Sequence, residues 1–465
     1  MPTVSSSPVG SIDQLALPIG LPAIEIAPEW KDQQRLWGHP FHPMCSYLAS
    51  FPAALAHAFI ARYSRPGDVV LDPFSGRGTT PVQASAEGRV GAGNDLNPFA
   101  YLLTAAKLEP PTRPEAITRL AVLRLAWATT AGAWEALARR VVDAPGAAGC
   151  RVPAAGSGRG PDSEDETVPD EVAIAFHPRT LGQLLYVRSA LELERPVDRF
   201  LAASLTGILH GRSASYLSTL MPNTFSMAPR YVRTFAAATA YQAPERDVFS
   251  GLELKLGRLL RQGSPATPGI ALRGDARDVA PRITAALRAR GLPDRARLVV
   301  TSPPYLRVVK YGYYNWLRAW LCGFDARAID DLLDDAHHRE PYLVFLREVL
   351  AGLRSALTDD AVIVLVIGDV ETDRGRRIQG AVGLAEQVWA AAAEPEGYRL
   401  AGVALDRVAA HRKMTKLWGD EAGRATKTDR ILVLGATEAG RRRGLAGAGT
   451  PIDWAWPVRG PRAVR

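Results

Sequence analysis

Thr301-Ser302-Pro303-Pro304-Tyr305 directly follows the apolar run Leu298-Val299-Val300. A strand that empties into Ser-Pro-Pro-Tyr leaves its sheet in one rigid shape, because proline fixes φ and carries no backbone N–H. The carbonyls of Ser302 and Pro303 are then available as outward acceptors, and Ser302 adds a hydroxyl. Tyr305 adds a flat face for stacking. Such a site suits a planar group bearing an exocyclic amine, although a plain Pro-Pro turn accounts for the same residues.

A second stretch, Gly67-Asp68-Val69-Val70-Leu71-Asp72-Pro73-Phe74-Ser75-Gly76-Arg77-Gly78-Thr79-Thr80, reads as strand, tight glycine turn and helix. Gly76 and Gly78 let backbone approach a ligand closely. Val90-Gly91-Ala92-Gly93-Asn94-Asp95 is a further strand ending in an acid, placed to accept from a ribose diol. Asp72, Asp95, Asp275 and Ser302 all fall at predicted carboxyl ends of strands, where doubly wound sheets bind ligands. They are therefore expected to converge on one crevice. Asp275 is placed to accept from an adenine amino group or to sit in a surface turn. Thr79 and Thr80 suit a carboxylate at a helix start, or simple capping of that helix. Phe74 is a candidate to pack on adenine or ribose.

Together these segments resemble the S-adenosylmethionine-dependent DNA amino-methyltransferases. Asp72 to Thr80 looks like that family's cofactor loop, and Asp95-Leu96-Asn97-Pro98 like its ribose-binding segment. Val300 to Tyr305 looks like its catalytic loop, with the Ser that is typical of cytosine-N4 enzymes. The helix from Phe51 to Tyr63 resembles the one that closes over the methionine end of the cofactor. The resemblance covers roughly 40–110 and 270–370. It implies S-adenosyl-L-methionine as cofactor, held by Phe51, Asp72, Phe74, Gly76, Gly78, Thr79, Thr80, Asp95, Asn97 and Asp275. It further implies methylation of cytosine N4 in flipped-out duplex DNA at Ser302, Pro303, Pro304 and Tyr305, with a restriction endonuclease as a candidate partner. Adenine N6 and an RNA base are the alternative targets. A decayed DNA-binding subunit is disfavoured by the intact Asp72, Gly76, Gly78, Asp95 and Ser302.

Strands at 68–72 and 89–94 alternate with helices, and Val362 to Ile367 reads as a buried central strand. An α/β, Rossmann-like methyltransferase sheet interrupted by a large, mainly helical insertion is expected. The expected segments are 1–107, carrying the cofactor half; 108–268, an insertion that selects the target; 269–437, the catalytic half; and 438–465, a basic flexible tail. Residues 144–170, rich in Gly, Ala and acids, read as a flexible linker.

The chain has 465 residues, 56 basic against 48 acidic, a net charge of +8 and a pI near 9.5. That balance favours a polyanionic partner. Arg212, Arg230, Arg233, Arg307, Lys310 and Lys416, several beside aromatic residues, are the candidate DNA contacts. Cys45, Cys150 and Cys322 are widely spaced and form no Cys-x-x-Cys pair, so no metal site or disulfide framework is expected. With no signal peptide and no apolar run of about 20 residues, a cytoplasmic protein off the membrane is expected.

Overall fold

The computed structural model describes residues 24–34, 36–48, 50–143, 150–222, 224–304, 310–333, 338–368, 383–407 and 428–455. Tyr305, Arg307 and Lys416 lie outside the described residues. The strands are β1 (Ile24–Glu25), β2 (Val69–Asp72), β3 (Val90–Asp95), β4 (Arg151–Val152), β5 (Glu166–Thr167), β6 (Ile270–Arg273), β7 (Ala296–Thr301), β8 (Leu357–Gly368), β9 (Arg399–Arg407) and β10 (Thr428–Gly435). All but β4 and β5 form one sheet in the order β1-β9-β10-β8-β7-β2-β3-β6. β6, β3, β2, β7 and β8 pair in parallel, and β10 runs antiparallel to both β8 and β9.

Chain order reverses between β2 and β7, since β2, β3 and β6 run outward one way and β7 and β8 the other. A crevice opens beyond the carboxyl ends of strands at such a point. Asp72 ends one of these two strands and Thr301 ends the other.

The β-branched runs explain the buried centre. Successive residues of a strand face opposite sides. Leu298, Val300, Val362, Val364 and Val366 pack with Ile431 and Val433 on one face. Val299, Ile363, Leu365 and Ile367 pack with Leu432 and Leu434 on the other. The first face is covered by α1 (Ala53–Tyr63) and by Ala84 of α2 (Thr79–Ala86). α3 (Pro98–Leu108) follows β3 and leads into the insertion.

The insertion is mainly helical: α4 (Arg113–Asp143), α5 (Asp170–Ala175), α6 (Pro178–Ala190), α7 (Pro196–Thr206), α8 (Pro229–Ala238) and α9 (Val248–Leu259). On α4, Ala116, Leu120, Leu123, Trp127, Trp134, Leu137 and Val141 recur at helical spacing and are buried. They join one apolar core with Phe99, Leu102 and Leu103 of α3, so the insertion is packed onto the sheet domain. Its entry and exit lie side by side. Arg290 donates to the Gly269 carbonyl at 2.8 Å and to Glu109 Oε1 at 2.6 Å.

Two expectations are corrected here. From residue 150, the stretch read as flexible linker is ordered. β4 pairs with β5, Val152 is fully buried, and the Gly156 and Gly158 amides donate to Arg188 and Ser189 carbonyls. Those carbonyls belong to the last turn of α6, which lacks partners of its own. The glycine-rich composition thus serves as a helix cap rather than a hinge.

The stretch read as a flexible tail is likewise ordered through residue 455. After β6 come α10 (Val279–Ala289), α11 (Tyr311–Tyr314), α12 (Trp316–Leu321), α13 (Ala326–Leu332), α14 (Arg339–Leu353), α15 (Leu384–Val388) and α16 (Glu438–Ala448). α16 lies so close to its neighbours that a Cβ on Gly440 would stand 2.3 Å from the Ala361 carbonyl oxygen. A Cβ on Gly447 would stand 2.5 Å from the Tyr63 ring. Trp454 then packs edge-on against Trp37, and the Asp453 carbonyl binds His57 Nε2 at 2.9 Å. Among the described residues no helix is long and apolar enough to cross a membrane.

Candidate active site

β2 delivers Asp72 into the loop Pro73–Gly78. Gly76 (φ +51°) and Gly78 (φ +80°) occupy the left-handed region that favours glycine. A Cβ on Gly78 would also stand 2.8 Å from Thr104 Oγ1. The loop is drawn toward β3 because the Gly76 amide donates to Asp95 Oδ2 at 2.7 Å and the Ser75 amide to the Asn94 carbonyl at 2.9 Å. Asp95 Oδ1 accepts from the Asn97 amide at 2.9 Å. Burial pushes the Asp95 carboxyl up to about 6, against these hydrogen bonds. Asn97 caps α3 through the Phe99 amide and donates its Nδ2 to the Tyr47 hydroxyl at 3.1 Å.

Asp72 is 1% exposed. Its Oδ1 accepts from Thr301 Oγ1 at 2.6 Å and from the Phe74 amide at 3.1 Å. Burial pushes its carboxyl up to about 7, opposed by those bonds. Asp72 therefore joins the ends of β2 and β7 and fixes the backbone immediately before Ser302. The Ser302 hydroxyl donates to the Val366 carbonyl of β8 at 3.1 Å.

One pocket gathers Phe74, Gly76, Asp95, Asn97, Asp275, Ser302 and Pro304 from positions far apart in sequence. Its lining also includes Tyr47, Arg277, Tyr311, Leu332, Leu333 and Phe345. Tyr311 adjoins Lys310, one of the candidate DNA contacts read beside aromatic residues. The others were missed. Phe345 lies on the amphipathic α14, whose pattern says only that one face is buried. Tyr47 precedes α1 in a stretch with no regular period. Arg277 had a local signal, since it stands two residues after Asp275.

Other sequence assignments fall outside the pocket lining. Asp72 and Gly78 lie behind it as buried supports. Pro303 is buried, while its neighbour Pro304 reaches the pocket. Thr79 and Thr80, read as candidates for a cofactor carboxylate, stand in the first turn of α2. Both are buried, and the Thr80 hydroxyl donates to the Val300 carbonyl at 2.9 Å, stapling α2 to β7. Phe51 packs with Trp37 against the core beneath the sheet.

Asp275 reaches the pocket but is held by Arg277, whose guanidinium approaches to 2.6 Å and whose amide donates at 2.8 Å. Burial opposes its ionisation, yet the hydrogen bonds and charge of Arg277 outweigh it and keep the carboxyl below its ordinary value. The same guanidinium sits 5.6 Å over the Phe345 ring, and Phe345 touches Phe74 at 5.8 Å.

Arg212, Arg230, Arg233 and Lys310 are exposed. Arg233 is paired with Glu171 at 2.7 Å. Among the described residues no cluster of three or more His, Cys, Asp or Glu could hold a metal ion.

Residues 24–106, which contain Asp72, the glycine loop, Asp95 and Asn97, match the DNA methylase family. Over 71 residues the chain is 38% identical to the type II methyltransferase M.MjaII of Methanocaldococcus jannaschii, covering 15% of this chain and 13% of that protein. Over 70 residues it is 36% identical to the type II methyltransferase M.Cfr9I of Citrobacter freundii, covering 15% and 23%. The chain thus matches less than a quarter of the length of either relative. Among solved structures, the rRNA methyltransferase aviRa from Streptomyces viridochromogenes superposes at a TM-score of 0.30 and 12% identity, covering 86% of this chain and 89% of that one.

Proposed function

We propose, from the match of residues 24–106 to the DNA methylase family, that the chain methylates an exocyclic base amine in duplex DNA, with N4 of cytosine as target. S-adenosyl-L-methionine is the cofactor in this reading, and when bound it supplies an electrophilic methyl group. The pocket's chemistry fits it. Asp95 offers carboxylate lone pairs for a ribose diol, Gly76 offers bare backbone, and Phe74 offers an apolar wall. Asp72 and Thr80 are positioning residues that hold the glycine loop against β7.

One observation carries the proposal. Ser302 donates its proton to the Val366 carbonyl, which leaves the hydroxyl oxygen as an acceptor at the pocket. An amine N–H directed at that oxygen and at the Pro303 carbonyl is drawn toward tetrahedral geometry, and its lone pair turns toward the methyl donor. Preorganised acceptors at a developing positive charge are the main catalytic term. The nitrogen loses its proton after transfer, so Ser302 need not act as a strong base. A base inside a duplex must first leave the stack, at a cost of about a few kcal/mol. Stacking of that base on Tyr305 rests on the sequence alone.

In the same reading, 1–107 and 269–437 form the two halves of the catalytic domain, and 108–268 selects the target. The type II relatives support a restriction-modification setting with a cognate endonuclease. The test is tritium transfer from labelled S-adenosyl-L-methionine to genomic DNA lacking amino methylation, followed by nucleoside identification. Label in N4-methylcytosine is the expected result. Label in N6-methyladenine would move the target, and no label would overturn the reading.

A further inference from the structure

α8 is an amphipathic helix with an unusual outer face. Val232 and Ala236 are buried, while Tyr231 is 61% exposed and Phe235, one turn on, is 39% exposed. Large exposed aromatics spaced four apart form one apolar strip on a helix. Arg230 is exposed beside them, and no residue from Pro229 to Ala238 is acidic. Glu171 of the neighbouring α5 pairs with Arg233 at 2.7 Å.

This face is fastened to the pocket's edge. The Ser226 amide donates to the Tyr314 carbonyl at 2.7 Å, and Trp316 Nε1 donates to the Met227 carbonyl at 2.6 Å. α8 begins two residues later. Buried His210 ties in the preceding loop, which carries exposed Arg212, by bonding the Pro222 carbonyl at 2.7 Å and Ser226 Oγ at 3.2 Å. Aromatic contacts run along the same path. Tyr311 lines the pocket, Tyr313 is 38% exposed and meets Tyr314 at 5.3 Å, and Tyr314 meets Phe225 at 6.0 Å.

We propose that the outer face of α8 docks duplex DNA at the rim of the pocket, with Tyr231 and Phe235 stacking on exposed base faces and Arg230 contacting phosphate. The inference rests on the reading above and names the surface that presents the duplex to that pocket. Cations select a polyanion, and aromatic rings beside them select one whose bases can be unstacked. A duplex opened at one base offers that combination.

The test uses the full chain and its Tyr231→Ala, Tyr231→Trp and Phe235→Ala variants. It measures anisotropy of a fluorescent genomic-fragment duplex, KM for DNA, the cofactor dissociation constant and the melting temperature. Tyr231→Ala should weaken duplex binding and raise KM about tenfold. Cofactor affinity and melting temperature should hold, and Tyr231→Trp should restore binding. Unchanged duplex binding in both alanine variants overturns the proposal. So does a lowered melting temperature without loss of DNA binding, or structured RNA competing better than duplex. Wild-type protein that binds duplex through α8 but transfers no methyl would sink the proposed function and leave this surface standing.

Discussion

In the proposed reaction, Ser302 offers its oxygen to an incoming amine because its hydroxyl already donates to the Val366 carbonyl. Ser302→Ala should therefore leave cofactor binding intact and cut kcat by about 10²–10³, as loss of a preorganised polar group typically does. Single-turnover methyl transfer beside a cofactor titration would check this. Asp72 poses a different question. Its carboxyl is raised from 3.8 to about 7, so the folded state holds the proton more tightly than the unfolded chain. The stabilisation is complete below about pH 4 and is lost as pH rises through about 7. Asp72→Asn keeps an acceptor for Thr301 and removes the titration. Thermal melts should show the wild-type stability falling between about pH 4 and pH 7, and the variant's falling by visibly less. An equal fall in both would remove Asp72 as the cause.

At the scale of elements, two contacts make strong claims. Thr80 staples α2 to β7 by one hydroxyl, so Thr80→Val should cost about 1–3 kcal/mol by leaving the buried Val300 carbonyl short of a partner. Gly440→Ala should cost about 1–3 kcal/mol through its clash with the Ala361 carbonyl, whereas a flexible tail would show no change in a thermal melt. The strands were legible because β-branched runs and terminal acids are local signals. So was the glycine loop, whose positive-φ positions need glycine. α16 was not legible. Its glycines and arginines read as a solvated tail, but the glycines exist to let a helix lie against the sheet. The same misreading affected Gly156 and Gly158. Tyr47 and Phe345 escaped because a pocket assembled from distant segments leaves no mark on any one of them.

Over the whole molecule, the net charge of +8 gains meaning only through where the cations stand. Exposed Lys310 precedes α11, beside the pocket-lining Tyr311. If Lys310 meets a phosphate, Lys310→Ala should reduce the slope of log affinity against log salt by about 0.9. A salt titration of duplex binding measures this directly, and an unchanged slope would exclude the contact.

Arg290 grips both Glu109 and Gly269, so the chain leaves the α/β layer and returns to it through one narrow doorway. Two breakpoints held by a single guanidinium make the insertion exchangeable as a cassette: a replacement needs only ends that meet the same gap. The packing sets the condition on such a graft. Because α3 shares its apolar side chains with α4 and its neighbours, a transplanted cassette must bring complementary residues for Phe99, Leu102 and Leu103, or arrive with that helix attached.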